Sequence, residues 1–136
     1  MNPRDHALFR NYPRNGSAIL SVGSVPTPYH IYDGYGVFIG GTAALAPVQA
    51  LLQGEQVQPL TTEAGRALLG IWICDFVQAS LDPHHELQFS IFVTHSPSSP
   101  PVFAHPVGLL SAILTRPDLQ MLCHGLWNNT PQVVAY

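Results

Sequence analysis

The sequence predicts a β-rich α+β fold of mostly antiparallel strands with a few helices, in one domain. Three observations predict it. Short runs rich in Val, Ile, Phe, Tyr and Trp recur along the chain. Gly, Pro, Asn and Asp clusters bound those runs, as turn chemistry requires. Apolar residues at helical spacing stand out over only one short stretch, 43–53.

Residues 1–16 are polar and mixed, and read as a loosely held arm. Residues 17–25 form a β-prone run that Pro26 and Pro28 punctuate, because proline lacks the N–H a central strand needs. Residues 29–39 alternate aromatic and aliphatic residues with glycine, and read as one strand or as a hairpin turning at Asp33-Gly34. Gly40-Gly41-Thr42 breaks this pattern, with Thr42 a good N-cap. Leu45, Val48, Leu51 and Leu52 then define an amphipathic helix over 43–53, ended by Gly54. Residues 66–77 are a long apolar strand, 81–84 a turn and 87–94 a further strand. Residues 95–101, rich in proline and serine, form a loop. Residues 102–114 read as a strand followed by a helix starting near Pro106. Residues 119–127 are apolar and fit strand or helix; Asn128-Asn129-Thr130-Pro131 is a turn; residues 133–136 begin another element, which the resemblance given below implies is a strand.

Composition narrows the function. The chain has 136 residues, of which 46% are hydrophobic and 10% charged, with a formal charge of −3. That charge offers no electrostatic footprint for nucleic acid. All five basic residues are arginine, and the chain contains no lysine. No apolar run reaches the roughly 18 residues that span a bilayer. Cys74 and Cys123 form no CxxC pair and read as buried free thiols, which points to a cytoplasmic setting.

The strongest local feature runs from Pro83 to Val93. On a strand, alternate residues share a face, so Glu86, Gln88 and Ser90 point one way and His85, Leu87, Phe89, Ile91 and Val93 the other. The second face is expected to pack on the core. If the first lines a cavity, Glu86 is a desolvated acid suited to general acid–base work. The plain alternative is a half-exposed strand whose polar face meets solvent. His84 and Glu86 also share a face, and His124 or Cys123 would add a third ligand for a metal, but divalent sites need three or four convergent groups and nothing in the spacing demands them. No metal or other cofactor is therefore expected. Neither a nucleophile elbow nor a phosphate loop is present.

Several stretches in order resemble the acetoacetate decarboxylase family. They are the strand over 71–77, the segment 78–86 ending on Glu86, the strand over 87–93, the apolar run 122–126, and Trp127-Asn128-Asn129-Thr130-Pro131 leading into 132–136. The helix over 43–53 also falls where that family places one, so the resemblance covers about residues 29–136. It implies a β-barrel-like cone with helices outside and an apolar cavity, of which this chain would be the N-terminal two-thirds. Glu86 matches the family's cavity glutamate. The family's Schiff-base lysine would fall beyond Tyr136, and the arginine expected near Asp33-Gly34 is missing.

The first expectation is thus a decarboxylase-like lyase, or an aldol, dehydration or cyclisation enzyme, acting on a small or apolar carbonyl-type substrate. Glu86 would be its acid/base, His84, Gln88, Ser90 and His124 would shape the pocket, and Trp127 would form a wall. A complementary chain pairing with residues 133–136, a homo-oligomer, or both, would complete it. The second is a non-catalytic module holding an apolar ligand in the same cavity. The third, a cupin-like metal protein, would use His84 and Glu86.

Overall fold

The computed structural model of the chain describes residues 6–95, 100–104 and 106–135. Most of the proline- and serine-rich loop after His95, His105, Tyr136 and the start of the N-terminal arm lie outside the described residues. The fold is β-rich α+β, as expected, with nine strands and four short helices among the described residues. A hairpin of β1 (Gly16–Leu20) and β2 (Gly23–Thr27) is antiparallel, with Gly23 at φ 122° in its turn. The other seven strands form one mixed sheet: β3 (Ile31–Ala43), β4 (Gln58–Pro59), β5 (Thr61–Thr62), β6 (Ala67–Ala79), β7 (His84–Thr94), β8 (Val102–Phe103) and β9 (Leu119–Asn128). Its order is β4-β7-β6-β5-β8, with β3 also on β6 and β9 also on β7; β5 and β8 are parallel.

The chain divides into two units, and β3, β6, β7 and β9 contribute residues to both. Unit 1 comprises Met1–Val37, Trp72–Leu87 and Leu126–Tyr136; unit 2 comprises Phe38–Ile71 and Gln88–Gly125.

Unit 2 holds two apolar clusters. In one, Val48 and Leu52 of helix α2 (Leu45–Leu51 and its C-cap) pack with Ala67, Ile91 and Val93. In the other, Leu60, Leu68, Phe92, Leu109 of helix α3 (Pro106–Thr115) and Leu119 pack together. Gly70 makes room for this second cluster: a Cβ there would lie 2.7 Å from the Phe38 ring and 3.2 Å from Phe92. The turn after α3 is clipped by Arg116, whose Nη2 donates to Asp118 Oδ2 at 2.7 Å.

Unit 1 carries helix α1 (Ala7–Asn11), the β1–β2 hairpin and helix α4 (Pro131–Ala135). Polar and aromatic contacts organise it. His30 is buried; its Nε2 lies 2.7 Å from the Tyr12 carbonyl, and its backbone N–H donates to Ser80 Oγ at 2.9 Å. Phe9 of α1 packs on the rings of His30 and Tyr32, each with centroids 5.0 Å away.

One alternative is decided and three local expectations are corrected. Of the two readings of residues 29–39, the single strand holds, because β3 runs unbroken through Asp33-Gly34. Gly34 and Gly36 serve close strand approach instead: a Cβ on either would lie 2.9 Å from a backbone oxygen of β6, Asp75 and Ile73 respectively. Gly40-Gly41-Thr42 does not break β3, and Thr42 does not cap α2; its hydroxyl accepts from Arg66 Nε at 2.9 Å, and α2 starts after Ala44 with no side-chain cap. The strand expected from residue 132 is helix α4. Pro131 sits at its first position, where a missing N–H costs nothing, and Asn128 Oδ1 accepts from the Thr130 N–H and hydroxyl, turning the chain into the helix. With that strand goes the edge on which a complementary chain was expected to pair. Cys123, expected to be buried, is exposed, and its Sγ lies 3.7 Å from the Gly125 carbonyl.

Among the described residues no helix is long and apolar enough to cross a membrane.

Candidate functional site

The six residues singled out from sequence divide between the units. His84, Glu86 and Trp127 belong to unit 1; Gln88, Ser90 and His124 belong to unit 2.

In unit 1, β7 opens on His84, only 2% exposed. Its Nδ1 lies 2.8 Å from the Asp82 carbonyl, which can only accept, so Nδ1 carries the proton. Nε2 is then the acceptor, and the Tyr29 hydroxyl donates to it at 2.7 Å. Phe76 covers the imidazole, centroids 4.9 Å apart. Asp82 sits at φ 70° in the turn before β7, which aims its carbonyl at the ring two residues on. Burial, and secondarily the Glu86 charge, pushes the Tyr29 phenol up to about 12. The same two causes, in the same order, push the Cys74 thiol up. Glu86 is half-buried, and its charge acts on both Tyr29 and Cys74.

The alternation expected of this strand is present, but its sense reverses in unit 1. His84 is buried and Glu86 half-buried, while His85 and Leu87, expected on the core side, are exposed. A sheet face of mixed chemistry results. Tyr35 and Val37 of β3, Ile73 of β6, Leu87 of β7 and Trp127 of β9 are all exposed apolar or aromatic residues, and they line a cavity of about 500 Å³. That volume lies within the roughly 300–1,000 Å³ of ligand sites.

Polar groups sit among these apolar walls. Asp75 accepts from the Tyr35 hydroxyl through Oδ2 at 2.7 Å, and its Oδ1 lies 3.2 Å from His85 Nδ1. The Asp75 hydrogen bond and charge raise the Tyr35 phenol above its ordinary value. Glu86, Asn128 and Asn129 also line the cavity. The Asn129 side chain accepts from the His85 N–H at 2.8 Å and its own N–H donates to the His85 carbonyl at 3.4 Å, tying the end of β9 to β7. Asn128 is committed through Oδ1 to Thr130, which orients its amide, and Nδ2 is the buried side-chain polar atom left without a partner among the described residues.

In unit 2, Gln88 Nε2 donates to the buried Ser90 hydroxyl at 2.7 Å. His124 is exposed, with its ring 6.1 Å from Phe89. Among the described residues no three His, Cys, Asp or Glu side chains converge as metal ligands.

Sequence reasoning missed Tyr35, Asp75 and Asn128. The available signal was Asp75, the one acid within an otherwise apolar strand. No protein-family model, curated protein or solved structure matches the chain.

Proposed function

We propose that the unit 1 cavity binds a small, largely apolar molecule bearing a carbonyl-type hydrogen-bond acceptor. One observation carries the reading: beside the apolar wall of Val37, Ile73, Leu87 and Trp127 the cavity is lined by Asn128, whose covered amide Nδ2 has no acceptor among the described residues. An unmet buried donor costs about 1–3 kcal/mol, and a turn of the Asn128 amide into the cavity, onto a ligand carbonyl, would recover it. Exposed apolar side chains supply the rest, at about 25 cal/mol per Å² covered. The test is titration with 2-nonanone, followed by tryptophan fluorescence and by chemical shifts of Ile73 and Leu87. Trp127→Ala and Ile73→Asp should each weaken binding at least tenfold. Unchanged affinity in both variants would remove the site.

A second reading adds catalysis in the decarboxylase-like cone that the sequence resemblance implies. The half-buried position of Glu86, with its charge felt by Cys74 and Tyr29, favours it. Glu86 would take a proton from the carbon beside the ligand carbonyl and return it to the product. Schiff-base chemistry would need a lysine from outside these 136 residues, which contain none. Intact mass of everything that co-purifies tests whether a second polypeptide supplies it. In any reaction found, Glu86→Gln should lower turnover about 10²–10⁴-fold without unfolding the protein; full turnover would leave the binding reading alone.

A further inference from the structure

We infer that the unit 1 cavity hydrolyses carboxylic esters of apolar acids, with water as the nucleophile and His85 as the general base. This activity builds on the binding already proposed for the same cavity and makes no use of Glu86.

Strand alternation sorts side chains of the cavity lining into two rows on one sheet face. Tyr35 on β3, Asp75 on β6 and His85 on β7 make one row, and Asn129, just past the end of β9, continues it by accepting from the His85 N–H. Val37, Ile73, Leu87 and Trp127 stand two residues away along the chain from these four and make the other row. The first row is polar and the second apolar. An ester whose alkyl chain lies along the second row sets its carbonyl over the first.

Hydrogen bonds join the polar row. The Tyr35 hydroxyl donates to Asp75 Oδ2 at 2.7 Å, and Asp75 Oδ1 lies 3.2 Å from His85 Nδ1. A carboxylate only accepts, so Nδ1 carries the proton, and Nε2 of the neutral ring is an acceptor. Among the described residues no hydrogen bond engages that Nε2. The His85 side chain is 67% exposed, so water reaches it. A general base needs an oriented ring with one open nitrogen, and Asp75, itself held by Tyr35, supplies the orientation. The Asn129 amide is fixed through Oδ1 to the His85 N–H at 2.8 Å, which leaves its Nδ2 donors next to this base. Such donors stabilise the charge that develops on an ester carbonyl oxygen.

In the reaction, Nε2 takes a proton from water as the water oxygen bonds to the ester carbonyl carbon. The carbonyl electron pair moves onto its oxygen, to which Asn129 donates. When the pair returns, the bond to the alcohol oxygen breaks, and Nε2 gives its proton to the leaving alkoxide. Acid and alcohol depart, and the imidazole is neutral again. Asp75 acts through His85 and is a positioning residue.

The test uses the full chain with p-nitrophenyl hexanoate as substrate and 2-nonanone as competitor. Hydrolysis should saturate and be inhibited competitively by 2-nonanone, whereas a surface imidazole outside a binding site gives a rate linear in ester. His85→Gln should lower kcat by about 10²-fold or more while keeping the parent's circular dichroism. Asp75→Asn should lower kcat about tenfold with KM unchanged, a split that general loosening of the face would not give. Hydrolysis that stays linear in ester, or an unchanged kcat in His85→Gln, overturns the assignment. Binding of 2-nonanone without saturable hydrolysis overturns the activity alone; failure of both removes the binding reading with it.

Discussion

β7 passes through two regions with opposite burial. Over Ser90–Thr94, in unit 2, five successive residues are buried, so both faces of the strand are covered. Over His84–Leu87, in unit 1, burial alternates, and the covered side is the polar one. Unit 2 places its large apolar side chains in two clusters. Unit 1 instead inserts His30, His84 and Tyr29 with their hydrogen bonds and leaves Tyr35, Val37, Ile73, Leu87 and Trp127 outward. The contrast teaches where stability and binding reside. Unit 2 also leaves Ile39, Leu51, Val102, Leu110 and Leu114 exposed, so its two buried clusters, rather than a lack of outward apolar residues, set it apart. A region held by polar contacts keeps apolar surface available, and such surface marks interaction sites.

The largest expected effect tests the core side of this comparison. Phe92 is fully buried and packs edge-on against Phe38, centroids 6.1 Å apart. Phe92→Ala should cost about 3–5 kcal/mol, measured by denaturant unfolding. A loss under 1 kcal/mol would mean unit 2 does not dominate stability.

A smaller effect is expected in unit 1. Tyr29→Phe leaves His84 Nε2 buried without its donor and should cost about 1–3 kcal/mol near neutral pH. It should also change the alkaline limb. The Tyr29 phenol titrates near 12 folded, against 10.0 for the free side chain. The folded state therefore favours the protonated phenol, and this contribution is intact below pH 10 and is lost as pH rises from 10 towards 12. Thermal unfolding at pH 9, 10 and 11 should show a shallower decline in Tyr29→Phe than in the parent. Parallel declines would place Tyr29 outside the stabilising network.

The smallest effect on stability is expected at the outward face. Trp127 is 58% exposed, and Trp127→Ala should change unfolding free energy by no more than about 0.5 kcal/mol. Its effect on ligand binding should be far larger, and a variant that loses both together would show that this face is structural.

Much of the fold was legible locally. The apolar run at 66–77 is β6, the pattern at 43–53 contains α2, and the Pro106 start of α3 follows from the sequence as read. The legible part of the site was the pairing of His84 with Glu86 on one strand face. Less legible were features whose local signal has two readings. Gly34 serves equally a turn or a close strand approach, and Val133-Val134 favours a strand until Pro131 and the Asn128–Thr130 bonds start a helix.

By itself, the sequence determined the β-rich class, the lack of lysine in these 136 residues, and the residues eligible to form a polar strand face, because period and composition are properties of the string. Only the tertiary structure decided which face of β7 is covered, since burial depends on the strands that pair beside it. It alone brought Asp75 to Tyr35 and His85, set Trp127 and Asn128 into a cavity lining with Ile73 and Leu87, and gave Thr42 to Arg66 rather than to a helix end. Those partners lie far apart in sequence, and no local propensity encodes which distant group will satisfy a hydrogen bond.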